Sequence, residues 1–378
     1  MRTQIVIFSR YYLPGFKAGG PIESISTFVK LLHNQYQFSI FTSDRDFQDT
    51  SKYKEIKSNS WNENHNSKVF YLGKSIFNFF FYLKFILNLE KYKIIYFSSL
   101  FDFKFTIIPL IFLKFFYSNK KIILAPRGEL YPGALSIKKR KKYIFLNVLK
   151  KINLLSNVVW HATSNQEIQT IRDIYKFSNI MLAPNIVEPK IIICPKNKSS
   201  EELKLVFFSR ITPKKNLLYL IKLISSIKIL ASLDIYGPVD DLKYWNLCLS
   251  TIRELKIEKK VKYMGPLDKK NIHNTLAKYD LFVFPTLGEN FGHVIFDAIK
   301  SGLPILISNK TPWNDIEDYR IGWSIPISEK AKYLEIINNF DNWWSKNSSN
   351  FDERCLNFIN NNSQIDKVIL MYKSLFAT

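Results

Sequence analysis

The chain has 378 residues, 47% apolar and 15% aromatic, which is enough for two or three buried cores and excludes a disordered or fibrous protein. Its 54 Lys and Arg against 32 Asp and Glu give a formal charge of +22. That balance favours an anionic partner, whether phosphorylated ligand, acidic lipid surface or nucleic acid, without choosing among them.

Cys194, Cys248 and Cys355 form no CxxC pair, as expected in a reducing compartment. His33, His65, His161, His273 and His293 show no metal-ligand spacing, so no metal site is expected. The first residues, MRTQIVIFSR, hold only four consecutive apolar positions, too few for a secretory signal. The apolar stretches 76–89 and 105–117 are too short to span a bilayer and are broken by Lys84, Pro109 and Lys114. They read as buried helices of a cytoplasmic protein.

In chain order, QIVIFSR (4–10) predicts a strand, LPGFKAGGP (13–21) a glycine-rich loop, SISTFVKLLHN a helix and FSIFTS (38–43) a second strand. Residues 44–67 are polar and aperiodic and read as a long loop, usually functional or mobile. There follow strand KVFYLG, helix 76–90, strand KIIYFSS, helix 103–117, strand KIILAPRG, a basic helix 137–156, strand NVVWHATS and helix 165–176. PKNKSSEE (195–202) reads as a linker. A second alternating run then begins with LKLVFFSR (203–210) and continues through helix 214–228, SLDIYG, helix 240–256, KVKYMG, helix 269–278, LFVFPT, helix 292–301 and PILIS. SKNSSN (345–350) marks another break, and an amphipathic stretch, 352–376, closes the chain.

Alternation of this kind predicts two parallel, doubly wound α/β domains, about 1–195 and 203–350, with the closing helix 352–378 packing back on the first. Two such domains in series leave a cleft, and ligands bind beyond the carboxyl ends of the strands. The segments to read are therefore 10–21, 127–129, 210–216, 237–241 and 289–292.

PTLGENFGHVIFDAIKSGLP (285–304) holds Glu289 and Asp297 across a strand–loop–helix turn. On one helix they would lie about 12 Å apart along the axis and roughly 80° around it. A hydrolytic carboxylate pair needs roughly 5–9.5 Å. The spacing therefore suits two acids holding different parts of an extended ligand. It equally suits an acid complementing a helix dipole plus a solvated face residue. Asn290, Phe291 and Gly292 put backbone N–H groups at a helix start, where an anion is held well. In SRITPKKN (209–216), Arg210 and Lys215 stand where a fork and a point charge suit a diphosphate. Gly15, Gly19 and Gly20 do not form G-x-G-x-x-G, and no acid ends the second strand in the place a dinucleotide ribose needs.

With these residues in view, GENFGHVIFDAIKSGLP resembles the E-x7-E region of glycosyltransferase family 4, retaining enzymes of GT-B fold with two Rossmann-like domains. Glu289 matches the first acid, and Asp297 stands where the family usually has Glu. FFSRITPKKN is similar to the family's strand–Arg–x4–Lys phosphate motif, with Asn216 in place of Gly. GGPIESI resembles the N-terminal glycine loop, and LAPNIVE (182–188) the segment before the linker. APRGELYPGALSIKKRKK, YGPVDDLKYW and SNKTPWND resemble a branch building bacterial surface polysaccharides.

The resemblance implies roles. Arg210 and Lys215 would bind the donor diphosphate, and Glu289 the donor sugar. The amides of Asn290, Phe291 and Gly292 would lie near sugar and phosphate, and Asp297 would hold the ribose. Gly19 and Gly20 would let the N-terminal loop approach donor phosphate and acceptor. It also implies a UDP- or GDP-sugar donor, a hexose-type sugar, no cofactor and front-face retention without a required metal. Many relatives carry a His in the loop that here reads Ala125 to Glu129, which leaves Arg127 and Glu129 as acceptor-side candidates, and His161 as a weaker one that reads first as a satisfied strand-end histidine.

In the basic helix 137–156, Ile144, Val148, Ile152 and Leu155 form an apolar stripe among seven cations, Lys138 included. It fits a helix lying on an anionic membrane or a core helix with a solvated basic face. A glycan acceptor on a lipid carrier favours the first, hence a protein peripheral on the inner face of the plasma membrane and not a nucleic-acid binder. The alternatives are a sugar-nucleotide- or NAD-dependent enzyme, and a basic non-enzymatic binding protein.

Overall fold

A computed structural model of the chain describes residues 2–64, 66–74, 78–117, 119–136, 139–176, 178–186 and 202–377. It divides into two compact units, residues 1–186 with 365–378, and residues 187–364. The expected linker, 195–202, lies outside the described residues apart from Glu202, as do Cys194, His65 and Lys138.

Unit 1 is an eight-stranded sheet: β1 (Thr3–Phe8), β2 (Tyr36–Ser43), β3 (Trp61–Asn64), β4 (Ser67–Leu72), β5 (Ile94–Phe97), β6 (Lys121–Leu124), β7 (Val158–Ala162) and β8 (Asn179–Leu182). The spatial order is β3-β4-β2-β1-β5-β6-β7-β8, all parallel except the β3–β4 pair. Central strands are apolar on both sides: Ile5, Val6, Ile7 and Phe8 of β1 are all buried. A strand covered on both faces reads as a continuous apolar run for this reason. Each such side chain contributes roughly 1.5–3 kcal/mol of burial.

One face of the sheet packs α2 (Asn78–Leu87), α3 (Ile108–Phe116), α5 (Lys139–Lys151) and α6 (Asn165–Ile174), through Tyr82, Phe85, Leu110, Leu113, Leu146, Leu149 and Ile171. The other packs α1 (Gly20–Leu32) and α14 (Ile365–Leu375), through Ile25, Phe28, Tyr372 and Phe376. A short α4 (Pro132–Ser136) precedes α5.

Unit 2 has strands β9 (Leu203–Phe208), β10 (Ala231–Tyr236), β11 (Val261–Gly265), β12 (Leu281–Phe284), β13 (Ile305–Ser308) and β14 (Gly322–Ile325), ordered β11-β10-β9-β12-β13-β14 and all parallel. Its helices are α7 (Leu217–Ile224), α8 (Leu242–Glu254), α9 (Ile272–Leu276), α10 (His293–Lys300), α11 (Lys330–Asn338), α12 (Phe340–Asn347) and α13 (Phe351–Ser363). In both sheets the winding reverses beside the first strand, between β1 and β5 and between β9 and β12. Those switch points open the crevice in which doubly wound sheets take ligands.

Four expectations are corrected. The stretch 44–67 is not all loop, because β3 pairs antiparallel with β4 and hides its pairing in the polar sequence WNEN. Helix 76–90 is α2 followed by a 3-10 turn at Leu89–Lys91, with 76 and 77 outside the described residues. The basic helix ends at Lys151 rather than 156, with 137 and 138 outside the described residues. The closing stretch is two helices, broken at Gln364 in the left-handed region (φ 34°). α13 buries Cys355 and Phe358 in unit 2, and α14 buries Val368 and Tyr372 in unit 1.

Candidate active site

The loop after β9 carries Arg210 and then a 3-10 turn, Pro213–Lys215, which ends on Asn216 in the left-handed region (φ 59°). That conformation suits the Gly of the resembling motif, and Asn is among the residues that tolerate it. The Asn216 side chain donates to the Pro285 carbonyl at 2.9 Å. Leu287 N–H donates to Lys214 O at 2.8 Å, and Thr286 Oγ1 to the same oxygen at 3.1 Å. The loops after β9 and β12 are thus laced together at the switch point of unit 2.

Within this frame Lys215 Nζ donates to Glu289 Oε1, their side chains only 13% and 10% exposed. Glu289 Oε1 also lies 3.3 Å from Thr286 Oγ1, an alternative acceptor for that hydroxyl's one proton. Burial holds the Lys215 ammonium below the ordinary lysine range, and Glu289 partly restores it. An ammonium has three donors, so Lys215 keeps capacity for a second anion. Removing either partner would leave a poorly solvated charge alone. Arg210 Nη1 donates to Asp240 Oδ2 at 3.0 Å in a half-exposed pair. Such a pair contributes little to stability, which leaves the guanidinium ready to exchange its acid for a ligand anion.

Glu289 sits in a loop, its N–H donating to Lys310 O at 3.0 Å. α10 starts only after Gly292, whose φ of 83° is costly for a side-chain-bearing residue. A Cβ there would also meet Ile295 Cδ1 at 2.9 Å. The two acids therefore stand on different elements. Asp297 is half-buried on the side of α10 that also holds His293 and Lys300, away from the buried Ile295, Phe296, Ala298 and Ile299. Ile295 N–H donates to Gly292 O at 2.9 Å and closes the first turn of α10. Phe291 belongs to the core. Its ring stacks on Phe296 at 5.3 Å, and its carbonyl accepts from Trp313 Nε1 at 2.5 Å.

In unit 1 the glycine loop is held by a residue that sequence reasoning missed. Phe16 and Lys17 N–H donate to Asp46 Oδ2 at 2.7 and 3.0 Å. These two amides are already engaged. What stays open is Gly19, with φ 72° and nothing within 4 Å of where a Cβ would point, just before Gly20 begins α1. The signal was in the sequence, since Asp44 and Asp46 follow directly on β2, and it corrects the expectation that no acid closes the second strand.

The acceptor-side candidates turn inward. Arg127 (φ 49°) donates to Tyr96 Oη at 2.9 Å and to Asn185 Oδ1 at 3.2 Å. Tyr96 Oη meets His161 Nδ1 at 2.8 Å, and His161 Nε2 donates to Ala183 O at 2.7 Å. His161 is fully buried, and burial, then Arg127, push its imidazole down to about 3. It is neutral with both nitrogens bonded, so it offers no atom to an acceptor here. Glu129 accepts from Ser99 Oγ at 2.7 Å and from Leu100 N–H at 2.6 Å, and burial raises its carboxyl to about 7. Glu167, also unforeseen, accepts from Gly128 N–H and from Thr163. The geometry gives Glu129 and His161 the task of shaping the loops after β5 and β6.

Comparison with known proteins bears on the family and the fold. Residues 190–355 match the family model "Glycosyl transferases group 1". A Klebsiella pneumoniae protein described as an uncharacterized 41.2 kDa protein in cps region is 23% identical over 188 residues. That match spans about half of each chain, 48% of this one and 49% of the relative. Among solved structures, Anabaena Alr3699/HepE in complex with UDP-glucose superposes with a TM-score of 0.72 at 15% identity, covering 99% of both chains. Sucrose-phosphate synthase from Thermosynechococcus elongatus gives 0.73 at 15%, covering 99% and 98%. At such identities the likeness is one of fold, two Rossmann-like units of GT-B type, and with the family-model match it supports a glycosyltransferase.

Proposed function

We propose that the chain is a retaining glycosyltransferase that moves a hexose-type sugar from a UDP- or GDP-sugar to a lipid-linked glycan in bacterial surface-polysaccharide synthesis, on the cytoplasmic side of the membrane. The observation that carries this reading is the set at the switch point of unit 2: Arg210, and Lys215 paired with Glu289. The Glycosyl transferases group 1 match covers these residues, and the relative in cps region supports the setting.

In this reading the donor diphosphate displaces Asp240 from Arg210 and takes the remaining donors of Lys215. As the bond from the anomeric carbon to the diphosphate oxygen breaks, negative charge grows on that oxygen. Two fixed cations in a poorly solvated loop stabilise the charge without reorganising. Glu289, held by Lys215, contacts sugar hydroxyls and turns the anomeric carbon toward the acceptor. Asp297 reaches the ribose from α10. The acceptor oxygen bonds to the anomeric carbon on the face the diphosphate leaves, and its proton passes to the departing phosphate oxygen. Unit 1 is taken as the acceptor side, its glycine loop open at Gly19. Diphosphate charge is assigned to Arg210 and Lys215 rather than to a metal.

The test is a thermal-shift panel of UDP- and GDP-sugars, since a ligand of the native state raises apparent stability. The best donor is then assayed for transfer and the product anomer read by NMR. An inverted anomer would remove the retaining assignment. A panel in which NAD raises the midpoint and no nucleotide-sugar does would remove the transferase.

A further inference from the structure

The side of unit 1 carrying α2, α3 and α5 is unlike the rest of the surface. The three helices bury one face against the same side of the sheet and lie next to one another. Tyr117 Oη, just past α3, donates to Leu87 O at the end of α2 at 2.8 Å, and Lys114 Nζ of α3 donates to Ile152 O just past α5 at 2.7 Å. Their outer faces carry large apolar side chains beside their cations. Phe80 and Phe115 are 73% and 74% exposed, and Phe116 and Leu87 more than half exposed, as is Phe103 in the π-helical turn Phe103–Ile107 that leads into α3. Of the stripe expected to distinguish core from membrane, Ile144, Val148 and Ile152 are exposed and Leu155, past the end of α5, is buried, while Leu146 and Leu149 also pack inward. In unit 2 the exposed large apolar residues fall on α8, β11, α13 and separate loops. Scattered exposed apolar residues are ordinary, but a contiguous patch marks an interaction surface.

Charge decides what covers it. α2, α3 and α5 contain no acidic residue and eight cations. Lys84, Lys114, Lys139, Arg140, Lys141 and Lys151 are exposed. A second protein with a purely apolar face would leave these ammonium and guanidinium groups unmatched. The helices have 10, 9 and 13 residues, far short of a span, so they can lie on a bilayer but not cross it. At the edge of the layer, a groove of about 760 Å³ between α2 and β3 is lined by Trp61, Phe81 and Leu87, with two cations, Lys84 and Lys91, and one acid, Glu90, among its walls.

The geometry points to a docking face for an anionic phospholipid bilayer made of α2, α3 and α5 together. Phe80, Phe103, Phe115 and Phe116 enter the interface and the cations meet lipid phosphates. This deepens the lipid-linked acceptor of the proposed function by naming the surface that meets the membrane, and it moves the main anchor from the basic helix to the aromatic residues of α2 and α3.

The experiment is flotation of the full chain with phosphatidylcholine vesicles and with vesicles containing about one-third phosphatidylglycerol, at low and physiological salt. Binding is expected to the anionic vesicles and to weaken with salt. Phe80→Ser with Phe115→Ser and Phe116→Ser should cut it at least about tenfold. Lys139→Gln with Arg140→Gln and Lys141→Gln should cut it by about fivefold per charge and flatten the salt dependence. Circular dichroism and the thermal midpoint check folding, and the single Phe115→Ser variant repeats the test with less perturbation. Equal partitioning to both vesicles, no partitioning, or unchanged binding by the variants overturns the proposal. So does a stable dimer that the Phe variants dissociate, since a second copy then covers the face. Nucleotide-sugar binding is measured on the same samples. Its loss with vesicle binding intact counts against the enzyme reading alone, and the reverse outcome against the docking face alone.

Discussion

After β9 and β12 of unit 2, Arg210, Lys215 and Glu289 meet in cation–acid pairs at a switch point, with donors to spare. In unit 1, Arg127 and Glu129 after β6 and His161 near the end of β7 point into a hydrogen-bonded interior, Arg127 and His161 toward Tyr96 and Ala183 and Glu129 toward Ser99 and Leu100. Both groups lie at the carboxyl edge of a parallel sheet, and both look like site residues when the chain is read as letters. The difference is what each side chain has left to offer. An ammonium bound to one carboxylate still has protons for a phosphate, whereas an imidazole with both nitrogens bonded and no exposure has nothing for a substrate.

Substitutions at the two edges should therefore separate activity from stability. The largest effects belong to the buried pair. Glu289→Gln should lower transfer by about a thousandfold or more with the fold retained, a loss of the kind seen when a preorganised charge is removed from a site. Lys215→Ala should lose as much and also cost about 3 kcal/mol in denaturant unfolding, because it strands the Glu289 carboxylate. Next, Arg210→Ala should reduce turnover by about a hundredfold while stability stays within about 0.5 kcal/mol. Near-normal turnover in Arg210→Ala or Glu289→Gln would dissolve the contrast between the edges. Asp297→Ala should act on donor KM, by roughly tenfold, with kcat nearly unchanged, the pattern of uniform binding. Asp297→Glu should keep donor binding.

The smallest effect on turnover should come from His161→Gln, within about twofold, with a stability loss of about 1–3 kcal/mol from orphaned partners. Its signature is in pH. The imidazole is depressed from 6.5 to about 3, so the stability it contributes is present above 6.5 and lost as pH falls toward 3. Glu129 works in the opposite sense. Raised from 4.5 to about 7, it contributes stability present below 4.5 and lost as pH rises through 7. Removing His161 should uncover the Glu129 slope, so that the variant gains stability between pH 7 and 4.5 relative to wild type. Thermal midpoints across that range check it.

How much was legible follows from range. Strands buried on both faces announce themselves as apolar runs, as in QIVIF and LFVF, and the alternation with helices carried the architecture. WNEN did not, because an antiparallel edge strand needs no apolar face. The break at Gln364 has no Gly or Pro to mark it. Arg210, Lys215 and Glu289 were legible because each lies in the loop that follows a strand. Their pairing was not, since Lys215 and Glu289 meet across 74 positions and Arg210 finds Asp240 on another loop. His161 shows the same limit: its burial depends on α14, whose Tyr372 ring lies 5.4 Å from the imidazole. No local pattern around position 161 carries that.

The central claim is that the switch point of unit 2 holds a nucleotide-sugar by its diphosphate. Calorimetric titration tests it most directly, using the nucleotide-sugar that most raises the thermal midpoint, on wild type, Arg210→Ala and His161→Gln. The account predicts equal Kd for wild type and His161→Gln, and binding weaker by about tenfold or more in Arg210→Ala, as expected for a lost charged hydrogen bond. Unchanged affinity in Arg210→Ala, or no binding of any nucleotide-sugar by the wild type, would contradict it.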